Sequence, residues 1–179
     1  MFVSETYSVE DCLDYDLMTS NSGKWNIPSA MQSAISYNSN GMTVSGLSSG
    51  QSMTLKTSYN VPVAVEFDLI ASSSSGNYDN ASPQLCIDGT LHNHNSITIK
   101  PKSLIIQTGN NSGSFTDHSV SSVLGTYKIV MQSTQYSVYL DGTLVATQSN
   151  ASISSTNFLI LSSSNRSFTM KNVKIKPVS

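Results

Sequence analysis

Carboxylates are the side chains of this sequence that come closest to a catalytic arrangement, and they are few. Only three glutamates occur, at positions 5, 10 and 66, and only Glu66 falls within a clear strand pattern. Glu66 and Asp68 are two residues apart, so in a strand both project from one face. Acid–base cleavage of a glycosidic bond requires two carboxyl groups about 5–10 Å apart that flank the bond. Whether this pair reacts or only binds depends on the element that carries it.

Two further motifs suggest chemistry at first sight. His92 and His94 are spaced to present two metal ligands, but no Cys, Glu or third His accompanies them. The segment 46–50, Gly-Leu-Ser-Ser-Gly, matches a serine nucleophile elbow, but that motif requires a helix after it and the following residues form a strand pattern. We therefore interpret the first as part of a polar loop and the second as a serine-rich turn.

Binding side chains are expected on loops. Residues 72–82 and 109–119 are polar and are predicted to be long loops, where ligand contacts of many proteins concentrate. Tyr78 is the best candidate for an exposed aromatic ring that stacks on a sugar. The predicted ligand-binding residues are Asn77, Tyr78, Asp79 and Asn80 in one loop and His92, Asn93 and His94 in another.

Apolar residues alternate with period two along almost the whole chain, which is typical of half-buried strands. In Pro62–Ala71, the clearest case, Val63, Val65, Phe67 and Leu69 share one face. The Asp141–Gly142 turn joins two alternating runs and predicts a hairpin whose apolar face includes Leu144. Strands are predicted at 34–37, 42–45, 51–57, 62–71, 84–88, 96–100, 103–108, 125–132, 135–141, 143–148, 157–162 and 167–176, with very little helix. A β-bulge near Lys171 and Asn172 is predicted, because the apolar parity changes there.

The composition is polar but nearly uncharged. The chain holds 36 Ser, 15 Thr and 15 Asn, charged residues make up 11 %, and the net charge is −2. A nucleic-acid partner would need a basic stripe, so we predict none. The frequent β-branched and aromatic residues argue against disorder. Cys12 and Cys86 are compatible with a disulfide or with two buried thiols, and we favour free thiols.

The chain is predicted to be one domain, residues 1–179, because a single sandwich can reach this length. No stretch approaches the roughly 18 apolar residues of a membrane span, and residues 1–5 lack the features of a signal peptide. We expect no membrane insertion. The expected setting is extracellular, on a virion or cell surface, reached as an excised domain or without Sec export.

The last third resembles the closing strands of laminin-G-like and other concanavalin A-like sandwiches. Tyr136–Gly142 is similar to a "VYVDG" hairpin, and Met170–Ile175 is similar to a final "I-x-N-V-R-I" strand. Gly125–Gln132 precedes the hairpin, and Asn157–Leu161 lies between the hairpin and the final strand. Asp14–Met18 and Lys24–Ile27 resemble the opening strands of the same superfamily. The resemblance implies an all-β, two-sheet antiparallel jelly-roll sandwich of the concanavalin A-like lectin and glucanase superfamily, in an adhesin or viral tail type of module.

A narrower resemblance concerns metal. Val63–Asp68 is similar to the metal-binding strand of legume lectins, and it implies Glu66, Asp68 and Asp79 as ligands. Gln84 stands where that motif has its histidine, so the resemblance implies at most an oxygen-only calcium site. The other prediction is that Glu66 and Asp68 face solvent on a concave sheet, with no cofactor bound.

The same strand also resembles the "E-x-D-x-x-E" strand of family 16 glycoside hydrolases, with Glu66 and Asp68 as its first two members. The third position is Ala71, which removes the acid/base residue. The sequence therefore favours a non-catalytic module that binds carbohydrate or cell-surface glycans. A structural protein–protein module, with other subunits of a fibre or tail as partners, is the alternative, and a glycoside hydrolase is the second alternative.

Overall fold

The computed structural model describes residues 12–75, 81–90, 95–149 and 151–178, which form two antiparallel sheets packed face to face. The larger sheet contains β1 (Asp14–Asp16), β3 (Ile35–Asn38), β4 (Gly41–Val44), β7 (Val63–Ser74), β12 (Gly125–Met131), β13 (Gln135–Leu140), β14 (Thr143–Ser149) and β17 (Arg166–Pro177). Its order is β14-β13-β12-β7-β17-β4-β3, and β1 also pairs with β17.

The smaller sheet contains β2 (Trp25–Asn26), β5 (Gln51–Leu55), β8 (Gln84–Cys86), β9 (Ser96–Lys100), β10 (Ile105–Gly109), β11 (Phe115–Ser119) and β16 (Leu159–Ser162). Its order is β11-β10-β9-β8-β16-β5-β2. A short pair, β6 (Tyr59–Asn60) with β15 (Ser155–Thr156), and a four-residue helix, α1 (Ser29–Gln32), complete the described elements. None of the helical segments in these residues has the length and apolar character of a membrane span.

The core lies between the two sheets and follows from the alternation of β7. Val63, Val65, Phe67 and Leu69 are buried on the inner face, as predicted. The Phe67 ring stacks on Tyr127 of β12 with centroids 5.0 Å apart. From the smaller sheet, the inner face is made by buried aliphatic side chains, namely Met53, Leu85, Ile97, Ile99, Ile106 and Ile160. Burial of each such side chain stabilises the fold by about 1.5–3 kcal/mol.

One buried tyrosine ties the two sheets together. The Tyr136 hydroxyl, on β13 of the larger sheet, donates to the carbonyl oxygens of Gly109 (2.6 Å) and Ser96 (3.1 Å) in the smaller sheet. Burial raises the pKa of this phenol, so it stays a neutral donor.

The central strands β7 and β17 pair over most of their length and carry two irregularities. The register shifts between Lys171 and Lys174, where Asn172 has φ +55°, so the predicted bulge near Lys171 and Asn172 is confirmed. A second shift, opposite Thr169 and Met170, inserts Ile70 as an extra residue in β7. The bulge in β17 keeps Val173 and Ile175 on the buried face that Phe168 and Met170 share, and the shift at Ile70 keeps β7 in register with β17.

Three predictions of local structure are corrected. The predicted loop 72–82 starts later than expected, because residues 72–74 still belong to strand β7 and pair with β17. Residues 109–119 are not one loop, because Phe115–Ser119 forms β11 and pairs with β10 along its whole length. Leu144 does not join the apolar face of its hairpin but is 53 % exposed, because a register shift between Val138 and Tyr139 turns it outward. The hairpin turn itself has the expected geometry, with φ of +49° at Asp141 and +77° at Gly142.

Both cysteines are free, as the sequence favoured. Cys86 is buried, and this burial, with the nearby Asp88 charge second, raises the pKa of its thiol to about 11. Cys12 is half-buried at the start of the described chain.

The two thiols are expected to differ in reactivity. Since the thiolate is the nucleophile, iodoacetamide near pH 8 should alkylate Cys12 in the native protein and leave Cys86 unmodified until the protein is denatured. Peptide mass spectrometry after quenching measures both sites. Equal labelling of the two under native conditions would contradict the placement of Cys86 in the core.

Candidate functional site

The outer face of the larger sheet carries a row of functional side chains that crosses five strands. Strand register places Tyr139 beside Lys128, Lys128 beside Glu66, Glu66 beside Lys174, and Lys174 beside Tyr15. All five side chains are half-buried. At about 4.8 Å between strands the row spans ~19 Å. We call these five residues the outer row.

Glu66 lies at the centre of the outer row and is held by two lysines. The Lys176 Nζ donates to Glu66 Oε2 at 2.6 Å, and the Lys128 Nζ lies 3.9 Å from Oε1. The Lys176 side chain is only 8 % exposed, so the Glu66 carboxylate is the charge that compensates it.

Asp68 is hydrogen-bonded through both of its carboxylate oxygens. One carboxylate oxygen accepts from Thr126 Oγ1 on β12, and the other accepts from Asn172 Nδ2 on β17, each at 2.7 Å. Asn172 is the bulge residue with positive φ, so Asp68 connects the bulge to its neighbouring strands. Its two oxygens stabilise the sheet.

The bulge at Ile70 determines to which face of the sheet Ala71, the third position of the glycosidase-like pattern, projects. With Ile70 as the extra residue, Ala71 pairs with Thr169 and projects to the same face as Glu66 and Asp68. Ala71 is exposed there and carries a methyl group only. The geometry thus places Glu66, Asp68 and Ala71 along one face, with no carboxyl group at the third place.

Two shallow depressions flank Glu66 on this face. One, about 210 Å³, lies toward the end of β17 and includes Lys176, Pro177 and Val178. The other, about 410 Å³, lies toward the hairpin and is lined by Thr126, Tyr139 and Gly142 as well as Glu66, Lys128 and Val130. The second combines an aromatic ring, a hydroxyl group and charged groups in one open surface.

The residues do not suit the cation that the lectin resemblance implies. Glu66 faces two ammonium groups, and both oxygens of Asp68 accept hydrogen bonds from the protein. Asp79, the third implied ligand, lies outside the described residues. Within the described ranges no group of three potential His, Cys, Asp or Glu ligands occurs. A calcium ion at Glu66 would have to displace Lys176.

The predicted loop contacts are not placed. Asn77, Tyr78, Asp79, Asn80, His92, Asn93 and His94 all lie outside the described residues, so they stay predictions. The sequence alone does not indicate that Tyr139, Lys128 and Tyr15 lie in one row. Period-two parity does predict that Tyr139 projects opposite to Val138, but only the pairing register shows which side chains become neighbours.

The Glu66–Lys176 pair gives a stability test. Glu66→Gln removes the carboxylate charge that the buried Lys176 ammonium contacts at 2.6 Å, and we expect it to lower the free energy of unfolding by about 1–3 kcal/mol. Lys128→Gln is the matched control, because Lys128 is 45 % exposed and its contact is long, and we expect a loss below about 1 kcal/mol. Urea denaturation of the three proteins measures the difference. Equal stabilities of wild type and Glu66→Gln would contradict the central role of the pair.

Comparison with known proteins gives structural neighbours only. Neither the comparison with protein families nor that with curated proteins gives a match. Among solved structures, the carbohydrate binding module CBM66 from Bacillus subtilis superposes with a TM-score of 0.62 at 13 % identity, over 86 % of this chain and 95 % of that one. The β-glucanase of Bacillus licheniformis gives 0.61 at 13 %, over 93 % and 98 % of the two chains. The endo-β-1,3-glucanase from Pyrococcus furiosus gives 0.62 at 10 %, over 94 % and 95 %.

Identities this low show the fold alone. The shared architecture confirms the fold expected from the closing hairpin and last strand. The chain has the two-sheet antiparallel jelly-roll sandwich of the concanavalin A-like type.

Proposed function

We propose that this chain is a non-catalytic carbohydrate-binding module that takes hydroxyl-rich cell-surface glycans on the outer row. The observation that carries the proposal is the row itself: two tyrosines, Tyr139 and Tyr15, with Lys128, Glu66 and Lys174 between them on one open face.

The chemistry of the row suits a sugar. A tyrosine ring offers an apolar face to the C–H side of a pyranose, and its hydroxyl group remains available for hydrogen bonding. The Tyr139 hydroxyl has no hydrogen-bond partner among the described residues, and neither has the Lys174 ammonium. Hydrogen bonds between sugar hydroxyls and charged groups are stronger than neutral ones. Ring stacking on the tyrosines and hydrogen bonds to the charged groups between them would hold a sugar chain across the strands.

Three features support binding rather than hydrolysis. Glu66 is held by Lys176, Asp68 is held by Thr126 and Asn172, and Ala71 occupies the third position of the hydrolase-like strand. A general acid must be free to approach the bond that it protonates. The carboxylates of this face instead stabilise the sheet that presents the ligand surface.

The setting we propose is the exterior of a cell or virion, in an adhesin or a tail or fibre protein. The surface rich in Ser, Thr and Asn supports this, because neutral polar groups form hydrogen bonds with hydroxyl-rich ligands. Two of the structural neighbours are a carbohydrate binding module and a β-glucanase, which agrees with a sugar ligand. Several copies on one particle would raise a weak single-site affinity by avidity. We propose no cofactor, so binding should persist in a chelator.

Tyr139 tests the proposal. We expect Tyr139→Ala to weaken binding of a neutral glucan oligosaccharide by about 5–10-fold, the equivalent of one lost aromatic contact of ~1–1.5 kcal/mol. The wild-type ligand is first selected on a glycan array in the presence of EDTA, and affinities are then measured by titration calorimetry.

Phe115→Ala is the matched control, because Phe115 is an exposed aromatic on β11 of the other sheet. Its affinity should equal that of the wild type. An array with no neutral glycan bound, or an unchanged affinity in Tyr139→Ala, would contradict the proposal.

A further inference from the structure

A third depression, which is polar, lies at the end of the sandwich remote from the outer row. Its volume is about 420 Å³, and it is lined by six serines together with Asn165, Arg166, Gly46 and Leu47. Ser73 and Ser74 end strand β7 and Ser75 follows it, whereas Ser164 precedes β17 and Ser167 is its second residue. Ser74 is eight residues from Glu66, which is ~26 Å along a strand. The depression is thus a separate surface.

Arg166 and Ser74 occupy positions that would normally hold core residues. They are a cross-strand pair, and they have the same parity as the buried Phe168 and the inward Ser72. Ser162 is likewise a polar residue on the inner face, in strand β16. The inter-sheet space therefore ends in an arginine and serines instead of in apolar side chains.

Three buried polar atoms at this end lack a hydrogen-bond partner among the described residues. Arg166 Nε, Ser74 Oγ and Ser162 Oγ are buried without a hydrogen-bond partner in the part of the chain that the structure describes, and they are three of the four such atoms found there. Arg166 forms no ion pair with any described residue, and none of the Asp and Glu residues in the described ranges lines the depression. An unpaired buried polar group lowers stability, by about 1–3 kcal/mol each. The Arg166 guanidinium therefore does not stabilise the fold through a hydrogen bond or ion pair with any of the described residues.

Burial without a compensating charge lowers the pKa of Arg166 from its usual value, yet a guanidinium remains charged at any physiological pH. A partly desolvated cation interacts more strongly with an incoming anion than a fully hydrated one does. The planar guanidinium also matches the two oxygens of a carboxylate or sulfate.

We propose that this end of the sandwich is a second binding site, which takes the anionic group of an acidic glycan through Arg166 while the surrounding serines contact the hydroxyl groups of the same sugar. The ligand class is a sugar that carries a carboxylate or a sulfate ester. The site acts independently of the outer row, so the chain can hold a neutral and an acidic part of a surface polysaccharide at once.

The experiment compares three probes by titration calorimetry at low salt: a galacturonic acid hexamer, its methyl ester, and a sulfated galactose hexamer. Wild type should bind the galacturonic acid hexamer at least about 10-fold more tightly than the ester. Arg166→Met should abolish that preference, whereas Lys56→Gln, which removes an exposed charge elsewhere, should retain it. Tyr139→Ala should also retain it, so failure of this site is distinguishable from failure of the outer row.

Stability provides the second readout. Arg166→Met removes an unpaired buried donor and should leave Tm unchanged or higher, so its loss of binding does not reflect unfolding. Arg166→Gln should show the same loss of preference. Binding of the sulfated hexamer alone would support the site and identify sulfate as its anion. Equal binding of acid and ester with no sulfate binding, or an unchanged preference in both Arg166 variants, would overturn the proposal.

Discussion

The structure depends on one constraint: side chains alternate between the two faces of the paired central strands β7 and β17. These strands share the longest pairing of the larger sheet, from Val63 opposite Pro177 to Ser74 opposite Arg166. A one-residue slip would move every apolar side chain to solvent and every charge into the core. The bulges at Ile70 and Asn172 keep the two strands in phase. Asp68 fixes the second bulge through Asn172.

This alternation also explains the chemistry of the outer face. Because the inner face takes the apolar residues, charged groups of β7, β17 and the neighbouring β12 lie on the outer face. Four lysines, Lys128, Lys171, Lys174 and Lys176, are there near Glu66 and Asp68. Both acids form contacts within the sheet, and the Glu66 carboxylate pairs with the buried ammonium group of Lys176. What remains accessible are the tyrosines at the ends of the row and the lysines beside them. Such a surface is better suited to holding a polar chain than to transferring a proton.

Much of the fold could be predicted from the sequence, because its signals are local. The alternation in 62–71, the Asp141–Gly142 turn and the parity change at Asn172 each depend on neighbouring residues. Strand β11 was missed because it is an edge strand with exposed residues, so burial imposes no apolar alternation on it. Leu144 was misplaced because a bulge in a hairpin leaves no trace in polarity.

The candidate site was less accessible to sequence reasoning. Glu66, Asp68 and Ala71 could be aligned on one face, but the partners of each carboxylate come from strands more than 50 residues away in the chain. Tyr15 and Tyr139 become members of one row only through register across five strands. No motif in the sequence distinguishes Arg166 either. That its buried Nε has no hydrogen-bond partner among the described residues follows only from the packing of the strands around it.

Non-hydrolytic binding on the outer row is tested most directly by NMR of isotope-labelled protein during a day-long incubation with a neutral glucan oligosaccharide. We expect amide signals of the outer row, around Lys128 and Tyr139, to shift on titration while the oligosaccharide stays intact. Appearance of new reducing ends, lost in Glu66→Gln, would contradict it, as would shifts confined to the smaller sheet.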